Sequence, residues 1–272
     1  MPISPTITLD HVTKRFEATP ALENVSTRIR PGEFVAVIGR SGAGKTTLLR
    51  CLACSTPVTA GRIRFGNHEL AGLRGGELRR HRARVGMIYQ QFNLVKRLRV
   101  LDNVLIGRLP HLTGWRRWAA LGRYFDANQR EIGLRCLQPV GLLDRVWQRT
   151  DTLSGGEQQG VAIAKILAQE PQVILADEPV ASLDVVNGAV VMETLQRIAH
   201  TAGLTVIANL HHVEYARRYA GRVLGLRGGR LVFDGSPARL TESALIDIFG
   251  DVGMQAPRLD PMLVGEEVWV LS

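Results

Sequence analysis

The residues Gly39-Arg40-Ser41-Gly42-Ala43-Gly44-Lys45-Thr46 follow directly on the apolar run Phe34-Val35-Ala36-Val37-Ile38 and lead into the helix-forming Thr47-Leu48-Leu49-Arg50. A buried strand, a glycine-rich turn and a helix start in immediate succession are the context of a phosphate-binding loop. Its glycines let backbone N–H groups close around phosphate oxygens, where a Cβ would obstruct them. Lys45 then supplies a point charge for the β- and γ-phosphates, and the Thr46 hydroxyl suits Mg²⁺. The alternative is a turn that merely joins strand to helix.

A second apolar run, Val173-Ile174-Leu175-Ala176, ends in the carboxylates Asp177 and Glu178. A buried parallel strand that terminates at a nucleotide site ends this way. Asp177 is placed to hold Mg²⁺ directly or through water, and Glu178, pointing differently, to polarise an attacking water. An acidic turn after a core strand is the plainer reading, and the phosphate loop weighs against it. Between these motifs lies Leu153-Ser154-Gly155-Gly156-Glu157. Ser154 followed three residues later by Glu157, and then by a helical run from Gln158 to Leu167, is a capping-box pattern. The paired glycines leave the N–H groups of that helix start open to an anion. One chain thus carries two phosphate-facing sites far apart in sequence, which favours two copies pairing so that each nucleotide lies between the loop of one and the helix start of the other.

These motifs, in this order, resemble the ATP-binding subunits of ABC transporters, and the resemblance runs from about Ile7 to Phe249. It implies an α/β fold: a nucleotide-binding domain around a phosphate loop, with a mixed β-sheet core and an inserted helical subdomain. It implies ATP and Mg²⁺ as cofactors and a head-to-tail, ATP-bridged dimer. Phe16 matches an aromatic that stacks on adenine, and Gln90 a glutamine that senses Mg²⁺ and the membrane partner. His211 matches a switch histidine at the γ-phosphate, and Ser182-Leu183-Asp184 a loop that crosses to the second subunit. Two transmembrane permease subunits, an extracytoplasmic substrate-binding protein and a peripheral position on the cytoplasmic face of the inner membrane are the further expectations. The segments Gln90 to Leu109, Ile174 to Asp184 and His211 to Tyr219 resemble in particular the ATPases of bacterial phosphonate importers. Phosphite or hypophosphite import, or service as an accessory ATPase of a phosphonate-degrading enzyme complex, are the alternatives. An ATPase acting on DNA or ribosomes is disfavoured, since such proteins carry two cassettes or a long coiled-coil insertion.

The chain departs from the family pattern at four positions: Glu157 for Gln, Gly160 for Arg, Val185 for Pro and His212 for Gln. Gly160 is expected to weaken its helix by about 1 kcal/mol relative to alanine and to remove a guanidinium from the shared ATP interface.

Composition agrees with these readings. The 272 residues contain no apolar run approaching the roughly 18 of a membrane span. Three cysteines, Cys51, Cys54 and Cys136, are too few for a disulfide scaffold and read as free thiols. The net charge of +9 raises nucleic acid as a partner. However, the basic residues gather at 74–84, 96–99 and Arg116-Arg117 without the aromatic-glycine patterns of RNA-binding modules, so no nucleic acid is expected. They form either a solvated face or one that meets anionic lipid. The Trp115-Arg116-Arg117-Trp118 cluster is either a packing patch or a contact for the permease.

Alternation at Val25, Thr27 and Ile29 and at Arg62 to Phe65 predicts half-exposed strands. Residues 1–90 and 170–250 are expected to form the core subdomain, 91–169 the helical one, and 251–272 a tail. After His211 a helix from Val213 to Arg222 and a two-residue Gly228-Gly229 hairpin complete the expectation.

Overall fold

The computed structural model describes residues 4–250 apart from Ala18 and Arg123, without the side chains of Arg116, Arg117 and Leu121; the expected tail 251–272 lies outside the described residues. The chain opens with strands β1 (Ile7–Phe16) and β2 (Thr19–Ile29), then β3 (Phe34–Ile38), helix α1 (Lys45–Leu52), β4 (Ala60–Phe65) and the short β5 (His68–Glu69). Helix α2 (Gly75–Arg84) leads into β6 (Val85–Ile88). A run without strands follows: α3 (Val100–Ile106), α4 (Gly114–Leu121), α5 (Ala127–Leu137) and α6 (Gly155–Ala168), with short 3₁₀ turns between them. The chain then returns through β7 (Val173–Asp177), α7 (Val185–Ala202), β8 (Thr205–Asn209), α8 (Val213–Tyr219), β9 (Arg222–Arg227), β10 (Arg230–Gly235) and α9 (Glu242–Phe249).

The expected mixed sheet is present, with strand order β10-β9-β3-β8-β7-β6, parallel throughout except for the β9–β10 pair. The half-exposed strands lie in a second, antiparallel sheet of order β2-β1-β4-β5. The pleat explains why the central strands are continuously apolar. Phe34, Ala36 and Ile38 pack on one face with α6 to α9, while Val35 and Val37 pack on the other with α1 and the antiparallel sheet. Each fully buried Val, Ile or Leu there stabilises the fold by about 1.5–3 kcal/mol. On β2, Val25 and Ile29 are buried and Ser26 and Arg28 exposed, as alternation predicts.

A third apolar cluster lies within the strandless run and joins α3 (Val100, Val104) and α5 (Leu137) to α6 (Val161, Ala164, Ala168). Buried polar side chains thread through it. Asn103 bonds Val95, Arg99 and Thr150, and Arg108 reaches Gln129 Oε1 at 2.8 Å and the Ala168 carbonyl at 2.7 Å.

One helix boundary differs from expectation. Helix α8 stops at Tyr219, not Arg222, because the Gly221 N–H donates to the Phe34 carbonyl and Arg222 is claimed by the sheet. There its guanidinium meets Asp234 at 2.7 and 2.8 Å and Glu33 at 3.2 Å. The Gly228-Gly229 hairpin is as expected, both residues at positive φ (54° and 80°) between paired Arg227 and Arg230. Among the described residues, no helix is long and apolar enough to cross a membrane.

Candidate functional site

Strands β3, β7 and β8 are hydrogen-bonded neighbours, so their C-terminal ends converge at one edge, where open α/β sheets hold ligands. From β3 the chain turns through residues 39–44. A Cβ at Gly39 would collide with the Leu226 carbonyl oxygen and one at Gly44 with that of Ala21, while both hold positive φ. Arg40, Ser41 and Gly42 are exposed on the crest of the turn, and Ala43 is buried. Helix α1 begins after Gly44 with no side-chain cap and no acidic residue in its first turn. Its free N–H groups and positive dipole end are therefore open to an anion.

Lys45 is 5% exposed and folds back to donate to the Gly39 carbonyl at 2.7 Å and the Arg40 carbonyl at 3.0 Å. Burial pulls its amine below the ordinary value, opposed by the nearby Glu178 and Asp177 carboxylates. Thr46 and Thr47 sit half-buried on the first turn. The Thr46 hydroxyl donates to Asp177 Oδ1 at 3.0 Å, which joins helix α1 to the end of β7.

Glu178 follows with φ at +53°, a conformation uncommon for a side-chain-bearing residue and costly by about 1–3 kcal/mol. The turn sends its carboxylate to His211, whose Nε2 stands 2.5 Å from Glu178 Oε1. A residue that the motif search passed over completes the cluster. Asn209, fully buried at the end of β8, donates from Nδ2 to Asp177 Oδ1 at 2.7 Å and to Thr46 Oγ1 at 3.4 Å. Its backbone carbonyl accepts from the Glu178 N–H at 3.2 Å. The signal was available: a polar residue terminates the apolar run Thr205 to Ala208, as Asp177 terminates its own.

Gln90, just past β6, is exposed and lines a cleft of about 1010 Å³ together with Asp177, Gln158 and Ser182. Phe16, at the far end of β1, is 49% exposed, with the Lys14 ammonium 4.8 Å from its ring centre. Ser154 caps α6: its hydroxyl accepts from the Glu157 N–H, and the Glu157 carboxylate accepts from the Ser154 N–H at 2.8 Å. Asp184 caps α7 without the reciprocal bond: its carboxylate accepts from both the backbone and the side-chain amide of Asn187, which hold it below the usual range. Gly155 and Gly156 lie against Leu183, Phe92 and Asn187. Among the described residues, no hydrogen bond or ion pair joins Ser154, Gly155 or Gly156 to the loop 39–47. The structure therefore gathers Lys45, Thr46, Asp177, Glu178 and His211 within one chain, whereas Ser154 and Asp184 serve as caps of α6 and α7.

The surroundings of Gly160 are tight. The residue is buried, and a Cβ there would stand 3.0 Å from Leu142 Cδ1 and 3.6 Å from Val140 Cβ. Position 160 faces the packing between α6 and the 138–145 segment, not an open interface. Gln159 beside it is also buried and donates to the Pro179 carbonyl at 2.9 Å, which ties α6 to the turn after Glu178. Trp115 and Trp118 are 67% and 75% exposed; the Arg116 and Arg117 side chains lie outside the described residues. Burial raises the three thiols to about 11, which keeps Cys51, Cys54 and Cys136 protonated.

Comparison with known proteins agrees with this geometry. The family model described as ABC transporter matches residues 22–181. The chain is 47% identical over 243 residues to the phosphonates import ATP-binding protein PhnC 2 of Rhodopseudomonas palustris, covering 89% of each. It is 46% identical over 252 residues to the phosphonates import ATP-binding protein PhnC of Thiobacillus denitrificans, covering 92% of this chain and 94% of the relative. A solved structure of a dimeric ATP-binding cassette in a post-hydrolysis state, bound to ADP and Pi, superposes with a TM-score of 0.74 at 32% identity, covering 85% of this chain and 98% of that one. With the phosphate loop, the paired carboxylates and the capped Ser154 helix set in one fold, the chain belongs to the ABC transporter family.

Proposed function

We propose that this chain is the ATP-hydrolysing subunit of a bacterial importer for phosphonates. The observation that carries the hydrolytic half is the convergence at one sheet edge of Lys45, the Thr46–Asp177 pair and the Glu178–His211 contact. The cargo half rests on the relatives named as phosphonate import ATPases and on no residue of this chain, because none of these side chains would touch cargo.

The loop 39–46 and the start of α1 bind the β- and γ-phosphates through backbone N–H groups. Lys45 exchanges its two carbonyl partners for phosphate oxygens. The Glu178 carboxylate accepts the proton of the attacking water as the water oxygen bonds the γ-phosphorus and the ADP oxygen leaves. His211 holds that carboxylate and contacts the γ-phosphate. Phe16 stacks on adenine.

Mg²⁺ fits the oxygen donors present. Thr46 and Asp177 are hard ligands already brought together, Gln90 lines the same cleft as Asp177, and a buried oxygen on Asn209 lacks a donor. Bound there, the ion would neutralise charge on the β- and γ-phosphates. A second copy supplies Ser154, Gly155 and Gly156, with Asp184 crossing beside them; the dimeric ATP-binding cassette among the similar solved structures supports this arrangement. Two permease subunits, an extracytoplasmic binding protein and a peripheral position at the cytoplasmic face of the inner membrane complete the assembly. The exposed Trp115 and Trp118 support α4 as part of the surface that meets the permease.

Deletion of the gene, in a strain with no second importer, should abolish growth on a phosphonate as sole phosphorus source and leave growth on orthophosphate intact. Normal phosphonate growth would move the cargo to phosphite or hypophosphite. Loss of phosphonate breakdown with uptake intact would place the chain in an accessory enzyme complex.

A further inference from the structure

Asn209 has features that packing alone does not explain. It is 0% exposed at the end of an apolar strand, in register between Val37 on one side and Asp177 on the other. Its Nδ2 makes two hydrogen bonds, to Asp177 and to Thr46, while its Oδ1 is buried with no donor. A buried acceptor without a donor is destabilising, so a polar residue held this way calls for a ligand. Rotating the amide would not remove the problem. It would set Oδ1 against the Asp177 carboxylate at hydrogen-bond distance, two acceptors face to face. Asp177 therefore fixes the amide orientation, and the amide in turn fixes where Oδ1 points.

We infer that Asn209 is a positioning residue of the cation site: its Nδ2 aligns Asp177 and Thr46, and its Oδ1 accepts a hydrogen bond from a water of the hydrated divalent cation. This rests on the reading of Thr46 and Asp177 as the cation-holding pair. A small divalent cation that keeps several of its waters supplies strong O–H donors of the kind Oδ1 lacks. A carboxylate at 209 would serve poorly, because it would stand against Asp177 and bring a second negative charge to the pair. The backbone carbonyl of the same residue holds the Glu178 N–H, so cation ligation and the placement of the proton acceptor share one anchor.

The test is calorimetric titration of a non-hydrolysable ATP analogue, with Mg²⁺ and with chelator, for the full chain and for Asn209→Ala, Asn209→Leu and Asp177→Asn. For Asn209→Ala, the Mg²⁺ concentration giving half-maximal nucleotide binding should rise about tenfold or more, while metal-free affinity changes by less than about twofold. Asn209→Leu keeps the branched side-chain shape, at a larger volume, and carries the same expectation if the alanine variant does not fold. An unchanged Mg²⁺ requirement, or an equal loss with and without Mg²⁺, overturns the inference. Asp177→Asn separates the two levels. If it leaves the Mg²⁺ requirement unchanged, the cation reading itself fails; if it raises the requirement and the Asn209 variants do not, only the role of Asn209 fails.

Discussion

The parallel sheet and the α3–α6 region are stabilised by different physics. In the sheet, β3, β7 and β8 are apolar along their length, and polar groups occur only where the strands end. In the helical region, directional bonds run through the interior. Asn103 is fully buried with three hydrogen bonds from its amide nitrogen and one to its oxygen. Arg108, 4% exposed, bonds Gln129, the Ala168 carbonyl and, at 3.1 Å, Glu170. Apolar burial is non-directional and tolerant of sequence, whereas a satisfied polar network fixes one arrangement and fails if a single member is lost. The sheet therefore presents its polar groups at one edge, and the helical region carries the Ser154 helix start on a scaffold keyed by hydrogen bonds.

The sharpest way to break this contrast is at the sheet edge. Glu178→Gln should lower ATP turnover by about 10²–10⁴-fold with nucleotide affinity intact, since the amide keeps the shape and loses the proton acceptor. Wild-type turnover would refute the assignment. In the helical region the largest effect should be on stability. Arg108→Met leaves Gln129 Oε1 and the Ala168 carbonyl without their donor, at about 1–3 kcal/mol for each acceptor that stays buried. A urea midpoint equal to wild type would show that the network does not hold the region.

Gly160→Arg should destabilise by about 1–3 kcal/mol through overpacking against Leu142 and Val140. The family pattern alone led to the opposite expectation, and a raised melting temperature would restore it. The smallest effect concerns Lys45, whose amine burial holds below its ordinary 10.5. Folding favours the neutral amine, so the cost of burying the charge is full below the folded value and fades as pH climbs through it towards 10.5. Without nucleotide, wild type should gain stability relative to Lys45→Met as pH rises towards 10.5. A constant difference would mean that the amine is not perturbed.

The centre of the sheet was legible in sequence because β3, β7 and β8 are nearly continuous apolar runs, and β7 and β8 end at polar residues. Glu178 and His211 are 33 positions apart, and their contact follows once β7 and β8 are neighbours. The antiparallel sheet was half legible: alternation marked β2 and β4, yet nothing local says that they pair with β1 and not with the central strands. Asn209 was missed because its signal, a polar residue ending an apolar run, belongs to no motif with a fixed spacing. The Asn103 and Arg108 networks were invisible for a related reason, since their partners lie up to 62 residues away and each reads as an ordinary surface residue. The packing around Gly160 was not legible, because a family pattern records which residue is usual and not which way its Cβ points.

The central claim is that a complete site needs the loop of one copy and the Ser154 helix start of another. Sedimentation of Glu178→Gln with Mg²⁺ and ATP tests it most directly, alone and combined with Ser154→Arg. The account predicts that ATP doubles the mass of Glu178→Gln, and that the double variant still binds ATP and stays monomeric. A monomer at saturating ATP, or a dimer indifferent to Ser154→Arg, would contradict it.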